Sequence, residues 1–185
     1  MALTTSNEAQ LGKKAIPFSL PNVVTGEMNN LDALKGTQGT VVLFICNHCP
    51  FVIHVNEILI ALANHNYNKG IRFIAISSND IEKYPQDAPD KMKEVALKEN
   101  YPFPYLFDET QEIAKAYDAT CTPDIFLYDQ NLKEVYHGRL DASSPGNDIP
   151  VSGNELQAAI DILIAGGPSL ENQLPSMGCG IKWKL

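Results

Sequence analysis

The sequence predicts an α/β domain in which a central mixed β-sheet is flanked by helices. Continuous apolar runs at residues 40–45 and 71–77 have the composition of central strands covered on both faces. Segments with helical spacing of apolar residues alternate with these runs, which is typical of a sheet with right-handed parallel crossovers. A later pair of apolar runs, 124–128 and 134–140, is joined by a tight turn and predicts an antiparallel edge.

Length, composition and charge limit the function classes. A chain of 185 residues with 44% hydrophobic content fits one domain with a sizeable core. The net charge is −8 and Lys and Arg are not clustered, which excludes nucleic acid or an anionic membrane as the main partner. Residues 1–10 are polar and no apolar run approaches the roughly 20 residues of a membrane span. We therefore expect a cytoplasmic protein.

The chain divides into three parts along its length. We predict a flexible lead-in at residues 1–14, one domain at 15–168 and a C-terminal tail packed on that domain at 169–185. The domain should begin with a small β-hairpin around Pro21-Asn22. Gly166-Gly167-Pro168 is a helix stop signal, and the tail that follows it is rich in Pro and Gly and should be extended.

The remaining elements are predicted from local patterns. The strongest helix should begin at Pro50, where a missing N–H is tolerated, and run to about Asn66. Further helices are expected at residues 90–99, 111–119 and 154–165, and a short strand at 105–107.

The motif Cys46-Asn47-His48-Cys49 lies between the first buried strand and this helix. Two intervening residues bring the sulfurs within disulfide reach, and the electropositive helix end favours thiolate over thiol. A thiolate attacks disulfides and peroxides. A protonated His48 would stabilise the thiolate further, whereas a solvated loop histidine would have no influence.

A C-x-x-C pair is also half of many zinc sites. A structural zinc site needs a second ligand pair of similar spacing, and Cys121 and Cys179 stand alone in the sequence. We therefore expect neither a metal nor another cofactor.

The segment Cys121-Thr122-Pro123 precedes another apolar strand. A Pro at a strand start is commonly part of a plain turn. Alternatively, a cis Thr122-Pro123 bond would put the Thr122 backbone beside the cysteines, where exposed N–H and C=O groups could pair with an extended substrate segment. Cys121 is either a small buried hydrophobe or a neighbour of the active pair. Chain length allows Cys179 to act as a resolving thiol.

Several segments resemble the thioredoxin-like superfamily, on the peroxiredoxin-like branch described as redoxin or AhpC/TSA proteins. The resemblance rests on FICNHCPF (44–51), SSND (77–80), YPFPYLFDETQEIAKAY (101–117), CTPDIFLYD (121–129) and GCGIKWK (178–184). It implies a thioredoxin-like fold, a redox-active disulfide, antioxidant activity and a cis Pro123 facing the cysteines.

The resemblance is to a hybrid of two patterns. Thioredoxins use two cysteines and attack with the first, whereas peroxiredoxins place one peroxidatic cysteine before a Pro, here Cys49-Pro50. The Thr that peroxiredoxins carry three residues earlier is Cys46 here, and their activating Arg is missing near Pro123. The buried acid of thioredoxins is unidentified too, since residues 40–56 contain no Asp or Glu. These departures favour dithiol exchange over peroxidase chemistry.

The leading hypothesis is a thiol–disulfide oxidoreductase that cycles Cys46 and Cys49. Its substrate would be a protein or small-molecule disulfide, and its electron donor a thiol such as thioredoxin or glutathione. The alternatives are a thiol-dependent peroxidase, with Cys49 peroxidatic and Cys46 or Cys179 resolving, and a non-catalytic binding module. The identity of the attacking cysteine is left undecided. Pro50 favours Cys49 as the helix N-cap, as in peroxiredoxins, whereas Asn47 as the N-cap would fit the thioredoxin pattern.

Overall fold

The computed structural model describes residues 3–184, so Met1, Ala2 and Leu185 lie outside the described part of the chain. Its strands are, in chain order, β1 (Leu3–Thr5), β2 (Ser19–Pro21), β3 (Met28–Asn30), β4 (Gly39–Phe44), β5 (Ile71–Ser77), β6 (Tyr105–Phe107), β7 (Cys121–Thr122), β8 (Asp124–Asp129), β9 (Glu134–His137) and β10 (Met177–Gly180).

The helices are α1 (Leu31–Leu34), α2 (Pro50–Tyr67), α3 (Pro89–Lys98), α4 (Glu112–Ala116) and α5 (Asn154–Ile164), with a 3-10 turn at Pro85–Asp87. Helix α2 begins at the predicted residue because Pro50 needs no N–H partner in the first turn. Across residues 3–184, the helices lack the combination of length and apolar character that a bilayer crossing requires.

The central sheet has the strand order β6-β5-β4-β8-β9. Strand β4 is parallel to β5, and β5 is parallel to β6. Strands β8 and β9 add an antiparallel edge on the other side of β4. The predicted mixed α/β sheet is therefore confirmed.

Strand β4 carries apolar side chains on both faces, as its composition predicts. Val41 and Leu43 pack in one core with helices α2, α3 and α5, while Val42 and Phe44 pack in a second core with β2, α1 and α4. Because successive residues of a strand point to opposite faces, one uninterrupted apolar run serves both cores. This burial fixes β4, and with it the loop that leads to α2.

The predicted N-terminal hairpin is present as the antiparallel pair β2 and β3, although its strands lie slightly later in the chain than expected. The Asn22 side chain accepts a hydrogen bond from Val24 N–H and organises the connection. A second sheet, β1-β10-β7, joins the two ends of the chain. Residues 3–5 of the expected lead-in thus pair with residues 177–179 of the expected tail.

Several predicted boundaries are wrong by a few residues. The last strand of the central sheet ends at His137 rather than residue 140, because Arg139 N–H donates to the Leu174 carbonyl oxygen at 2.9 Å instead of continuing the pairing with β8. Helix α4 is limited to Glu112–Ala116, since Gln111 adopts a left-handed conformation.

Candidate functional site

The two cysteines lie between the end of β4 and the start of α2. Cys49 is the N-cap of α2 with Pro50 as the first helical residue, so the expectation that Asn47 could be the N-cap is wrong. Both thiols are buried, with Cys46 2% and Cys49 0% exposed, whereas Pro50 is exposed. The sulfurs therefore occupy a desolvated position at the positive end of an 18-residue helix.

The Thr122-Pro123 peptide bond is cis and meets the cysteine pair. In the fully protonated pair the Cys49 S–H donates to the Thr122 carbonyl oxygen, 3.1 Å away. Cys46 Sγ lies 3.6 Å from Thr122 Oγ1. Residues that are more than 70 positions apart in sequence thus form one site.

The expectation that the Thr122 backbone is open to substrate is wrong. Strand β10 pairs antiparallel with β7 and places Cys179 opposite Thr122. Thr122 is only 3% exposed as a result. The chain's own C-terminal strand occupies the edge where an extended substrate would otherwise pair.

His48 is held by a buried acid that sequence reasoning missed. Its Nδ1 lies 2.6 Å from Asp87 Oδ2 and 3.9 Å from Cys46 Sγ. Its ring stacks on Tyr84 with an interplanar angle of 7°. His48 is therefore not a freely solvated loop residue. Asp87 follows β5 in a Pro-flanked turn, and nothing in its local pattern marks it as an active-site acid.

Asn47 is also fixed by several contacts. Its N–H donates to Asp87 at 2.9 Å, its Nδ2 donates to the Gln86 carbonyl at 2.8 Å, and its Oδ1 accepts from Tyr105 OH at 3.2 Å. These bonds tie the residues between the cysteines to the turn that carries Asp87. Asn47 positions the loop rather than capping the helix.

The pKa values of the two cysteines shift in opposite directions. Hydrogen bonding from Cys46 lowers the pKa of Cys49 to about 4, against the opposing effect of burial. The same hydrogen bond, burial and the charge of Asp87 raise the pKa of Cys46 well above its usual range. These directions favour a thiolate at Cys49 and a thiol at Cys46.

The other two cysteines differ in their relation to this pair. Cys121 donates to the Pro123 carbonyl at 3.6 Å, and burial raises its pKa well above the usual range. Cys179 is 4% exposed and lies in the same buried cluster as Cys46 and Cys49. Cys179 therefore joins the site, whereas Cys121 is bonded to its own strand.

A cavity of about 350 Å³ lies beside Pro123 and the first turns of α2. Its apolar wall includes Phe51, Val55 and Met177. Polar groups line the other side, and among them Arg139 is paired with Glu155 at 2.7 Å. The cavity offers a small molecule a place next to the cis bond.

One group of side chains in residues 3–184 has the dimensions of a metal site. One ligand atom each from Cys46, His48 and Asp87 lie within 4.8 Å of one another. The Asp87 oxygens already accept hydrogen bonds from Asn47 N–H and Asn79 Nδ2.

Comparisons with known proteins agree with this fold. A crystal structure of an uncharacterised conserved protein from Geobacillus kaustophilus is 55% identical with a TM-score of 0.97, covering 100% of this chain and 97% of its own. A hypothetical protein from Sinorhizobium meliloti 1021 is 40% identical with a TM-score of 0.95, covering 98% of each chain. A search of curated proteins gave no match.

More distant structures share the fold alone. A secreted disulfide oxidoreductase from Mycobacterium tuberculosis has a TM-score of 0.58 at 18% identity, covering 80% of this chain and 95% of its own. The family model described as "AhpC/TSA family" matches residues 11–137, which include the cysteine pair, Asp87 and the cis bond. The family model gives the family and the solved structures share the fold. The chain therefore belongs to the AhpC/TSA family, on the redoxin branch of the thioredoxin-like superfamily.

Proposed function

We propose that the protein is a thiol–disulfide oxidoreductase in which Cys46 and Cys49 alternate between dithiol and disulfide. The observation that carries the proposal is the pair of buried sulfurs at the N-terminus of α2, each in contact with Thr122. Membership of a thioredoxin-fold redox family supports the same chemistry.

The cycle begins with attack by the Cys49 thiolate on a substrate disulfide. A bond forms between Cys49 Sγ and one substrate sulfur, and the other substrate sulfur leaves as a thiolate. Cys46 then gives up its proton to the Asp87 carboxylate, which lies within 4.8 Å of its sulfur, and attacks Cys49 Sγ, which releases the second substrate thiolate. The protein loses two electrons, and the substrate disulfide gains them. A thiol donor such as glutathione or thioredoxin returns the protein to the dithiol.

We propose a small-molecule disulfide as the substrate class. A protein substrate that pairs as a strand needs a free edge at Thr122, and β10 occupies that edge. A small disulfide needs no such edge, and the cavity beside Pro123 provides space for one. Phe51 and Val55 can contact its apolar part.

The test compares glutathione disulfide and insulin as oxidants of the reduced protein. We expect glutathione disulfide to produce a Cys46–Cys49 disulfide with release of two glutathione molecules, and insulin to react much more slowly. Cys49→Ser should not react. Absence of a Cys46–Cys49 disulfide, together with thiols that ionise near pH 8.5, would reject the proposal in favour of a non-catalytic binding module.

A thiol peroxidase is the second candidate, because Cys49 directly precedes Pro50 at a helix N-terminus and carries the lowered pKa. Cys49 would attack the peroxide, releasing an alcohol or water, and the sulfenic acid would condense with the Cys46 thiol to give water and a disulfide. Consumption of hydrogen peroxide with a trapped Cys49 sulfenate in a Cys46→Ser variant would support it. Turnover of disulfides without peroxide consumption would exclude it.

A further inference from the structure

Cys179 has a defined position opposite the cis bond. In the antiparallel pair of β10 and β7, Cys179 faces Thr122 and Gly180 faces Cys121. Side chains of directly opposed residues lie on the same face of a sheet. Because Thr122 Oγ1 points to Cys46 Sγ, the Cys179 side chain is directed to the same side as the active pair.

Two contacts agree with this geometry. Thr122 Oγ1 donates to the Cys179 carbonyl oxygen at 3.5 Å, and the Thr122 carbonyl oxygen lies 3.1 Å from Cys49 Sγ. Cys46, Cys49 and Cys179 also belong to one buried cluster. Cys121, the neighbour of Thr122 on β7, points to the opposite face as alternate strand residues must.

Strand β10 is held in place at both of its ends. Ser6 N–H donates to the Ser176 carbonyl at 2.9 Å, and Ile181 N–H donates to the Thr120 carbonyl at 3.1 Å. Gly178 lies so close to β7 that a Cβ there would be 2.0 Å from the Thr122 carbonyl oxygen. Cys179 is therefore fixed at the site by main-chain bonds on either side of it.

We propose that Cys179 is a third redox thiol, which exchanges with the Cys46–Cys49 disulfide to form a Cys49–Cys179 disulfide. The inference rests on the proposed function, which supplies the first disulfide at the expense of a small-molecule disulfide. In the exchange, a bond forms between the Cys179 and Cys49 sulfurs and the Cys46–Cys49 bond breaks. The proton of Cys179 passes to Cys46, so no further oxidant is required.

The environment of Cys179 changes when Cys49 is oxidised. Burial, the hydrogen bond with Cys49 and the negative charge of Cys49 together raise the pKa of Cys179 to about 12. Both contributions from Cys49 disappear once that sulfur is in a disulfide. Cys179 therefore deprotonates more easily after oxidation, which is when its attack is needed.

The new disulfide would have a structural effect. It would join the N-terminus of α2 to β10 covalently and hold the Thr122 edge closed, while Cys46 would return to the thiol form. The site would then be oxidised without offering the Cys46–Cys49 disulfide to a reductant.

The experiment uses the full-length Cys46→Ser variant treated with glutathione disulfide, quenched with N-ethylmaleimide and digested with trypsin without reduction. Trypsin separates the cysteines, because Cys49 lies in peptide 36–69, Cys121 in 116–133 and Cys179 in 140–182. We expect peptide 36–69 linked to 140–182. The link should be lost in Cys46→Ser/Cys179→Ser, which keeps glutathione on Cys49, and retained in Cys46→Ser/Cys121→Ser.

Three outcomes would overturn the inference. In Cys46→Ser, Cys49 could keep its glutathione while Cys179 is alkylated, or Cys49 could fail to react at all. The third outcome is a disulfide that links peptide 36–69 to peptide 116–133. Failure of the proposed function is recognised separately, as absence of a disulfide within peptide 36–69 of a Cys179→Ser variant, in which the exchange cannot occur. If Cys46→Ser does not fold, a quenched time course of wild-type oxidation serves instead. The 36–69 to 140–182 link must then appear after the disulfide within 36–69, and its absence overturns the inference.

Discussion

Asp87 is a fully buried carboxylate that organises the polar side of the cysteine pair. It accepts hydrogen bonds from Asn47 N–H and Asn79 Nδ2 and contacts His48 Nδ1. Leaving such donors without a partner costs about 1–3 kcal/mol each. Asp87 therefore fixes the conformation of the loop in addition to placing a negative charge beside it. Its two oxygens connect the loop at residues 47–48 with Asn79, which follows β5.

Replacing this acid should slow the resolving step. We expect Asp87→Asn to reduce the rate of Cys46–Cys49 disulfide formation about 100-fold, because the route for the Cys46 proton loses its anionic end. Rapid mixing with glutathione disulfide and mass spectrometry of quenched samples would measure the rate. The mixed disulfide at Cys49 should accumulate.

Asp108→Asn is the matched control for this substitution. Asp108 is equally buried, but it bonds to Ser78 and Ala114 N–H and does not contact the cysteines. Its replacement should leave the rate close to that of the wild type. Equal slowing in both variants would show that Asp87 acts only through general stability.

Cys49 should titrate separately from the other thiols. Hydrogen bonding from Cys46 lowers its pKa to about 4, so its alkylation rate should rise with pH through that value and then level off. The lowered pKa of Cys49 also stabilises the folded protein. This contribution is fully present at a pH above 9.0, the pKa of the thiol in the unfolded chain, and it is lost as the pH falls toward 4.

Iodoacetamide labelling followed by peptide mapping measures the rate at each cysteine. Cys121, whose pKa burial raises, is the internal comparison and should stay unlabelled over the same pH range. The difference in unfolding free energy between the wild type and Cys49→Ser should shrink with acidification. Labelling of Cys49 only near pH 9 would contradict the assignment.

Among the elements, β10 determines what can approach the sulfurs. It lies between β1 and β7 and seals the Thr122 edge. Such an edge otherwise attracts other strands, so covering it also protects the protein from pairing with itself.

A single methyl group should displace this strand. Gly178→Ala would place a Cβ 2.0 Å from the Thr122 carbonyl oxygen, a backbone atom that cannot move aside. We expect about 1–3 kcal/mol of destabilisation, as in other overpacked sites. We also expect faster reaction of the cysteine pair with insulin. Urea unfolding and the insulin assay measure the two effects.

Gly180→Ala is the control on the same strand. Its Cβ would meet Thr4 Oγ1 at 3.0 Å, and a side chain can rotate away. Stability and reactivity should both stay near the wild-type values. An unchanged insulin rate in a destabilised Gly178→Ala variant would contradict the gating role of β10.

At the scale of the whole molecule, the thiolate at Cys49 links redox state to folding. Because the folded protein stabilises the reduced form, its disulfide should be more oxidising than that of thioredoxin, at a potential less negative than about −270 mV. The oxidised protein should accordingly unfold at lower urea concentration than the reduced protein. Equilibration with glutathione gives the reduction potential. Each shift of about 30 mV in that potential should correspond to a difference of about 1.4 kcal/mol between the unfolding free energies of the reduced and oxidised protein.

The double variant Cys46→Ser/Cys49→Ser serves as the control for this cycle. Its urea midpoint should not depend on the glutathione ratio. Equal stability of the oxidised and reduced wild-type protein would contradict the predicted link.

Most of the central sheet could be predicted because its strands carry long apolar runs, such as 40–45, whose burial is encoded locally. Helix α2 could be predicted from apolar spacing and Pro50. Strands β1, β7 and β10 could not, since they are two to four residues long and owe their conformation to pairing across the whole chain.

The candidate site divides in the same way. The cysteine pair and the cis Thr122-Pro123 bond follow from local motifs and the family resemblance. Asp87 could not be identified, because its role depends on a turn that folds back over residues 46–49. The position of Cys179 opposite Thr122 likewise depends on strand register, which the sequence of the tail does not encode by itself.

The order of synthesis gives the closing strand a further consequence. Strand β10 follows every other element along the chain, so it leaves the ribosome after the central sheet, α2 and the cis bond. The Thr122 edge can therefore be covered only after residues 177–180 have been synthesised.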